Sequence, residues 1–213
     1  MQQNHSLDIN MSPATMLSLY HKFFEKHATI VGIDIGTHNY LSASDLNMDV
    51  VYTDETNEMS RIYNKYKRRL KQPNINNEET ERKFLKGMHK HTNKVVKDLK
   101  DLYPSPCVFI IGRGDGVNRA DTLYGKIFTY TYRAIMKYAD SYDSVVCIDE
   151  GFTSLICPEC TFMHKRNRKQ SNRFECGSCG YQNDNDDIVA ACNIAHKWFD
   201  EFMPCDITLG KDE

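Results

Sequence analysis

The chain has 213 residues, of which 40% are hydrophobic and 26% charged, and its formal net charge at pH 7 is −2. This length can bury the core of one or two domains, and the near-neutral charge excludes a protein that attracts nucleic acid through net charge alone. The sequence shows no signal peptide and no apolar run long enough to span a membrane, which together with its cysteine usage predicts an intracellular protein without a membrane partner.

Strands and helices alternate after an N-terminal tail and short helix predicted over 1–27. Apolar and alternating segments predict three strands, and a basic helical insertion follows them. Beyond Pro104 the pattern predicts a strand, a helix, a strand and, after a cysteine-rich segment, a final helix with an acidic tail. The predicted segments are, in order, 28–35, 41–46, 49–54, 58–102, 107–112, about 120–138, 144–149, 183–202 and 203–213.

The order of these elements predicts the fold class α/β. Three strands followed by helix, strand, helix, strand and helix are typical of an RNase H-like mixed sheet with helices, here with an inserted four-cysteine zinc ribbon. The predicted core covers 28–156, with the basic insertion inside it, and the predicted ribbon covers 157–182. In such a sheet, strand ends and the start of the last helix meet at one point.

Four cysteines near the C-terminus form two C-x2-C pairs separated by fifteen residues. This spacing is typical of a zinc ribbon, in which four thiolates enclose a tetrahedral Zn²⁺ with no open coordination position. A closed site of this kind stabilises structure and performs no chemistry; the alternative is a set of buried thiols or disulfides. The predicted zinc ligands are Cys157, Cys160, Cys176 and Cys179.

Two short segments concentrate positive charge although the whole chain is nearly neutral. Residues 61–73 contain six Lys or Arg and residues 161–173 contain five, and neither segment contains an acidic residue. Such segments predict contacts with nucleic-acid phosphates, although either one alone could equally be a solvated surface. The predicted phosphate-binding residues are Lys65, Lys67, Arg68, Arg69, Lys165, Arg166 and Arg168.

Three acidic residues occupy positions that the predicted fold would bring together. Asp34 lies in the first strand, Glu150 follows the strand at 144–149, and Asp187 opens the last helix. Singly, they could be a compensated core residue, a surface acid and a helix N-cap. Together they predict a catalytic site that binds Mg²⁺ or Mn²⁺, because carboxylate oxygens suit these ions.

The motifs GIDIGTHNY, TSLICPEC, FECGSCGY and DIVAACNI together resemble the C-terminal half of the transposon-encoded TnpB proteins and their Fanzor relatives, over roughly residues 28–197. These families in turn resemble type V CRISPR effectors. The resemblance implies a RuvC-like DNA endonuclease, guided by RNA, in which Asp, Glu and Asp hold two Mg²⁺ ions. The first and last of these acids match Asp34 and Asp187.

The middle acid does not match directly. In most TnpB proteins the glutamate ends the strand that corresponds to 107–112, where this chain has Gly112. Fanzors and some TnpB relatives look rearranged, because their glutamate lies at the strand just before the ribbon. Glu150 resembles that arrangement and is therefore the candidate here. Asp115 and Asp149 are lesser candidates, and alternation along the strand turns Asp149 away from Glu150.

The N-terminal region is much shorter than in TnpB and Fanzor proteins, which bind guide RNA and read a flanking DNA motif there. Only about 27 residues precede the first predicted strand. The resemblance therefore implies either that a partner protein or a homodimer supplies these functions or that the functions are lost. The leading hypothesis is metal-dependent hydrolysis of nucleic acid, with DNA and guide RNA as partners. The alternative is a catalytically inactive zinc-ribbon protein that binds DNA or RNA or has a regulatory role.

Overall fold

The computed structural model describes residues 27–36, 39–114, 122–169 and 172–202. The predicted N-terminal helix, the predicted acidic tail and the lesser candidate Asp115 lie outside these residues. Within them, a five-stranded sheet packs against helices, and a small two-stranded ribbon is inserted between the last strand of the sheet and the last helix.

The central sheet is mixed. Its strands are Thr29–Asp34 (β1), Ser42–Asp45 (β2), Val51–Thr53 (β3), Cys107–Arg113 (β4) and Ser144–Asp149 (β5). They lie in the order β3-β2-β1-β4-β5. β2 runs antiparallel to β1 and β3, while β4 is parallel to both β1 and β5. This arrangement confirms the predicted mixed α/β sheet, and β4 and β5 lie next to each other in it.

Four helices are present in the described ranges. They are Glu58–Leu70 (α1), Asn77–Leu102 (α2), Leu123–Tyr138 (α3) and Asp186–Phe202 (α4). The side chains of Asn76 and Thr122 cap α2 and α3 by accepting hydrogen bonds from the backbone N–H groups of Glu79 and Gly125. Because Thr122 is a cap, α3 begins about three residues after its predicted start. No helix in these ranges combines the length and hydrophobicity that a bilayer core requires.

Alternation along the strands divides the apolar side chains between two faces of the sheet. Val31 and Ile33 of β1 pack with apolar side chains of α1, α2 and α3. Ile30 of β1 packs instead with Trp198 of α4 on the other face. Because successive side chains of a strand point to opposite faces, Asp34 belongs to the face that α4 covers.

The contact between β1 and α4 depends on Gly32. A Cβ atom at Gly32 would overlap the backbone oxygen of Ala191 and lie 2.7 Å from the backbone nitrogen of Ala195. Backbone atoms of a packed helix cannot move aside as a flexible side chain can, so only glycine permits this approach. The close contact fixes α4, which carries Asp187 in its first turn, against the strand that ends at Asp34.

The inserted ribbon is an antiparallel pair of short strands, Phe174–Glu175 (β6) and Gln182–Asn183 (β7), preceded by a 3₁₀ turn at Lys165–Asn167. Phe174 packs in a small core with cysteines of the ribbon and with Val189 of α4. The ribbon therefore shares its core with the helix that follows it.

A buried asparagine also links α4 to the segment that enters the ribbon. Asn193 of α4 donates from Nδ2 to the backbone oxygens of Thr153 and Ile156, each at 2.7 Å. Since Asn193 is buried, these hydrogen bonds are shielded from water and expensive to lose. They hold the segment after β5 in a fixed position relative to α4.

Candidate active site and metal centre

The structure brings the three predicted acids to one edge of the sheet. Asp34 is the last residue of β1, Glu150 directly follows β5, and Asp187 lies in the first turn of α4. The carboxyl ends of the parallel strands β1, β4 and β5 meet at this edge. The carboxyl groups of Glu150 and Asp187 both act electrostatically on that of Asp34.

The carboxyl group of Asp34 has a strongly perturbed pKa. Although part of the residue remains accessible, its carboxyl group is surrounded by protein. Burial raises the pKa of this group well above its usual value, and the charges of Glu150 and Asp187 raise it further, while Arg168 lowers it. Three carboxylates in such a place repel one another unless a cation compensates them. The donor set therefore fits a divalent cation such as Mg²⁺ or Mn²⁺.

Glu150 reaches this cluster by extending over the end of β4. A Cβ atom at Gly112 would lie 2.7 Å from Oε2 of Glu150 and 3.0 Å from its Cβ. A Cβ atom at Gly114 would overlap Oε1 of the same side chain. The space that a side chain at position 112 would fill is therefore taken by the side chains of Glu150 and Ile194, whose Cδ1 would lie 2.6 Å from that Cβ atom.

The carboxyl group of Asp187 is held at both oxygens. Asn39 donates from Nδ2 to Oδ2 at 2.7 Å, and Arg168 donates to Oδ1 at 3.1 Å. Arg168 also pairs through Nε with Asp186, the first residue of α4. Arg168, predicted to contact phosphates, thus lies between the ribbon and the start of α4 and brings a positive charge to the acidic cluster.

The neighbouring acid Asp149 is oriented differently from Glu150. Its side chain is 61% exposed, and its Oδ2 lies 3.6 Å from Nζ of Lys197. An exposed carboxylate paired with a lysine gains little from a cation. The structure therefore favours Glu150 over Asp149 as the third carboxylate of the cluster.

The four cysteines predicted to bind zinc converge. All four Sγ atoms lie within 4.8 Å of one another, with 3.6 Å between Cys157 and Cys179 and between Cys160 and Cys176. Sulfur ligands at about 2.3 Å from a tetrahedral zinc ion are about 3.8 Å apart. The backbone N–H groups of Ser178 and Cys179 also point at the sulfur of Cys176, as thiolate charge requires. The cluster fits the predicted zinc ribbon.

The predicted phosphate-binding residues are distributed over separate elements. α1 packs on the face of the sheet opposite α4 and carries Lys65, Lys67, Arg68 and Arg69. A groove of about 290 Å³ between α1 and α2 is lined by positively charged side chains, namely Lys65, Arg69 and Lys83. The ribbon contributes Lys165 and Arg166, both exposed at the 3₁₀ turn.

The sequence analysis missed two residues of the site, Asn39 and Tyr124. Asn39 lies in the same motif as Asp34, and a polar side chain so soon after a strand that ends in an acid was an available signal. Tyr124, in the first turn of α3, has its hydroxyl 3.4 Å from Oε1 of Glu150. No motif marks it, because its role depends on how α3 packs against the sheet.

Comparisons with known proteins find one matching domain profile and several similar folds. The profile of the Cas12f1-like TNB domain matches residues 131–194. Among solved structures, the chain is similar to a Cas12f1-sgRNA-target DNA complex, with a TM-score of 0.58, 16% identity, and coverage of 78% of this chain and 49% of that one. It is also similar to a CRISPR-Cas12f ternary complex, with a TM-score of 0.55, 17% identity, and coverage of 78% and 38%. No curated protein sequence matches it.

Similarity at this level of identity shows that the folds are shared. The profile match adds that residues 131–194 are similar to the Cas12f1-like TNB domain. The chain spans about half or less of the length of the two solved proteins.

Proposed function

We propose that the chain is a metal-dependent nuclease of the TnpB/Cas12 type, a RuvC-like endonuclease that hydrolyses phosphodiester bonds in DNA. One observation carries the proposal. Carboxyl groups from β1, from the turn after β5 and from α4 meet where burial and mutual repulsion raise the pKa of Asp34. Such a cluster is unfavourable by itself, and strongly perturbed acids are concentrated at functional sites.

The three acids would share the binding of divalent cations. Asp34, whose carboxyl group is affected by the charges of both Glu150 and Asp187, would hold the ions together with these two acids. Bound Mg²⁺ or Mn²⁺ would supply an activated water and stabilise the leaving oxygen of the phosphodiester. Asn39 orients the carboxylate of Asp187 by donating to Oδ2, without adding a charge to the cluster.

The zinc ribbon would support this site without taking part in the chemistry. Four thiolates fill the coordination sphere of Zn²⁺ and leave no position for a substrate. The ribbon contributes Arg168, which holds Asp187, and shares its core with α4. Loss of the bound zinc would therefore disturb the start of α4 and the carboxylate that it carries.

Positive side chains on α1 and in the ribbon would hold the phosphates of the nucleic acid. Contacts of this kind fix the position of a strand and carry no sequence information. The residues proposed for this role are Lys65, Lys67, Arg68, Arg69, Lys165, Arg166 and Arg168.

Guide RNA is a proposed partner that the chain would use in a larger assembly. The similar Cas12f1 structure is described as a complex with sgRNA and target DNA. A partner protein or a second copy of the chain is proposed to supply contacts to RNA in this assembly. The assembly would act in an intracellular compartment.

A second candidate function is a nucleic-acid-binding or regulatory protein without turnover. The observation that favours it is the engagement of both oxygens of Asp187, one by Asn39 and the other by Arg168. If Arg168 keeps this position when nucleic acid binds, its charge would take the place of a cation. Binding would then persist while cleavage would not.

The deciding experiment is a cleavage assay on labelled single- and double-stranded DNA and RNA, with Mg²⁺ or Mn²⁺ present. Asp34→Ala and Glu150→Gln should abolish cleavage, and Asp149→Asn, which changes the exposed neighbouring acid, should not. Cleavage that survives in both Asp34→Ala and Glu150→Gln would contradict the proposed site. Binding without cleavage in the wild type would favour the second candidate, and RNA that co-purifies with the protein would then be tested as a guide.

A further inference from the structure

The carboxyl group of Glu150 extends over Gly112 and Gly114 at the end of β4. Glu150 itself lies in a turn after β5, and its backbone N–H donates to the backbone oxygen of Arg113 in β4 at 3.4 Å. A metal ligand in a turn keeps its orientation only if surrounding groups hold it. Besides this hydrogen bond to β4, residues of α3, of α4 and of the turn itself contact the glutamate and its neighbours.

Contacts with α4 and with the turn itself fix the backbone around Glu150. Nζ of Lys197 donates to the backbone oxygen of Asp149 at 2.8 Å and lies 3.5 Å from that of Gly151. These two residues flank Glu150 in the chain. Thr153 donates twice to the backbone oxygen of Glu150, from its N–H at 3.1 Å and from Oγ1 at 2.8 Å. The turn is therefore tied down on both sides of the glutamate.

Contacts with α3 fix the carboxyl group itself. The hydroxyl of Tyr124 accepts a hydrogen bond from the backbone N–H of Gly114 at 3.3 Å and donates to Oε1 of Glu150 at 3.4 Å. A tyrosine hydroxyl keeps its proton at neutral pH and is therefore available as a donor.

We infer that Tyr124 and Lys197 are positioning residues for Glu150. Tyr124 orients the carboxylate, and Lys197 fixes the turn that carries it. The inference rests on the proposed function, because it treats Glu150 as a cation ligand. It concerns the binding of the cation, however, which can be measured without any cleavage.

Tyr124→Phe tests the carboxylate contact, because it removes the hydroxyl and keeps the ring. Loss of a hydrogen-bond partner of a metal ligand lowers metal affinity about 10–100-fold. We therefore expect the dissociation constant for Mn²⁺, measured by calorimetry on the zinc-loaded full chain, to rise at least about tenfold. Glu150→Gln gives the effect of losing the ligand. Tyr132→Phe is the matched control, since it removes a hydroxyl about 12 Å farther along α3 and should leave Mn²⁺ affinity unchanged.

Lys197 is tested by a pair of substitutions. Lys197→Met keeps the length of the side chain but removes the donor, and should weaken Mn²⁺ binding to a similar extent. Lys197→Arg retains a positively charged donor and should recover most of the affinity. A purely structural role would instead lower the melting temperature of Lys197→Met and leave Mn²⁺ affinity intact while the protein is folded.

The outcomes separate this inference from the proposed function. Unchanged Mn²⁺ affinity in both Tyr124→Phe and Lys197→Met would overturn the inference, even in a protein that cleaves DNA. Weaker Mn²⁺ binding in these variants of a protein that never cleaves would support the inference and count against the nuclease. A wild-type chain that binds no Mn²⁺ would overturn the inference as well.

Discussion

The carboxyl group of Glu150 and any side chain at position 112 compete for the same space. Gly112→Ala should therefore push the carboxylate aside and slow cleavage. The combined change of Gly112→Glu with Glu150→Gly moves the carboxylate to the end of β4, where it could face the same cluster. We expect this double variant to recover part of the single-turnover cleavage rate that Glu150→Gly loses. A folded double variant that is no faster than Glu150→Gly would show that the two positions are not interchangeable.

Asp34 should make the metal-free protein less stable at neutral pH. Its pKa is raised in the folded state by burial and by Glu150 and Asp187. An acid with a raised pKa binds its proton more tightly in the folded than in the unfolded chain. The stability that the protonated carboxyl group of Asp34 contributes is therefore fully present below about pH 4. This contribution is lost as the pH rises through the folded-state pKa of Asp34.

Asp34→Asn tests this effect because it removes the charge at nearly constant size. In metal-free buffer at pH 7 we expect the variant to melt at least about 2 °C higher than the wild type, the shift that about 1 kcal/mol produces in a domain of this size. Mg²⁺ should raise the melting temperature of the wild type but not of the variant. A lower melting temperature for Asp34→Asn would show that the carboxylate is compensated within the protein itself.

At the scale of the elements, the packing of α4 on β1 sets the distance between Asp187 and Asp34. Gly32→Ala places a methyl group against the backbone of Ala191 and Ala195. Overpacking of this kind costs about 1–3 kcal/mol, and the backbone contact argues for the upper end of that range. Chemical denaturation should show the loss, and cleavage should fall in the folded protein because α4 is displaced. Gly177→Ala is the control, since its Cβ would meet its nearest neighbours at an ordinary 3.8 Å.

The ribbon is the second element on which the site depends. Removing zinc leaves four thiols within 4.8 Å of one another without their central cation, so the ribbon should unfold. Arg168 would then release Asp187, and cleavage should be lost. Far-UV circular dichroism and cleavage measured with and without a chelator, and after zinc is added back, would test this. Full activity in protein shown to contain no zinc would mean that the ribbon does not hold the site.

The elements were predictable where the sequence pattern is long and regular. β4 and β5 are continuous apolar runs, and the spacing of the four cysteines alone predicts a zinc ribbon. α4 begins at Asp186, inside the predicted segment 183–202 and one residue before Asp187, which was expected to open the helix. The side chain of Asn185 accepts hydrogen bonds from the backbone N–H groups of Asp187 and Ile188 at this end of the helix. These features are local, and local sequence was enough to place them.

The contacts across elements were not predictable in the same way. Arg168 was assigned to phosphates because it lies in a basic segment, yet it pairs with Asp186 and Asp187 eighteen and nineteen residues away. Asn39 meets Asp187 across 148 positions of the chain. Pairings at such separations are decided by the packing of the sheet, the ribbon and α4. The sequence can mark Asn39 as a polar residue close to Asp34, but one sequence without its fold does not show that Asn39 pairs with Asp187.

At the scale of the whole molecule, positive charge is arranged in two places on a chain whose net charge is −2. α1 lies on the face of the sheet opposite α4. A nucleic-acid strand that contacted both α1 and the acidic cluster would therefore pass over the edge of the sheet. The basic groove between α1 and α2 would attract the backbone of such a strand. Binding strength should then depend on salt, whether or not the site cleaves.

Reversing the charges of Lys67, Arg68 and Arg69 to Glu tests whether α1 contacts nucleic acid. Each lost phosphate contact should reduce the slope of log affinity against log salt by about 1 and weaken binding to all sequences alike. The matched control reverses three exposed positive charges outside both basic segments, Lys97, Arg133 and Lys137. Fluorescence anisotropy on one labelled duplex at several salt concentrations gives both slopes. Equal slopes for the two triple variants would mean that α1 faces away from the nucleic acid, and the ribbon would then be the basic surface to test.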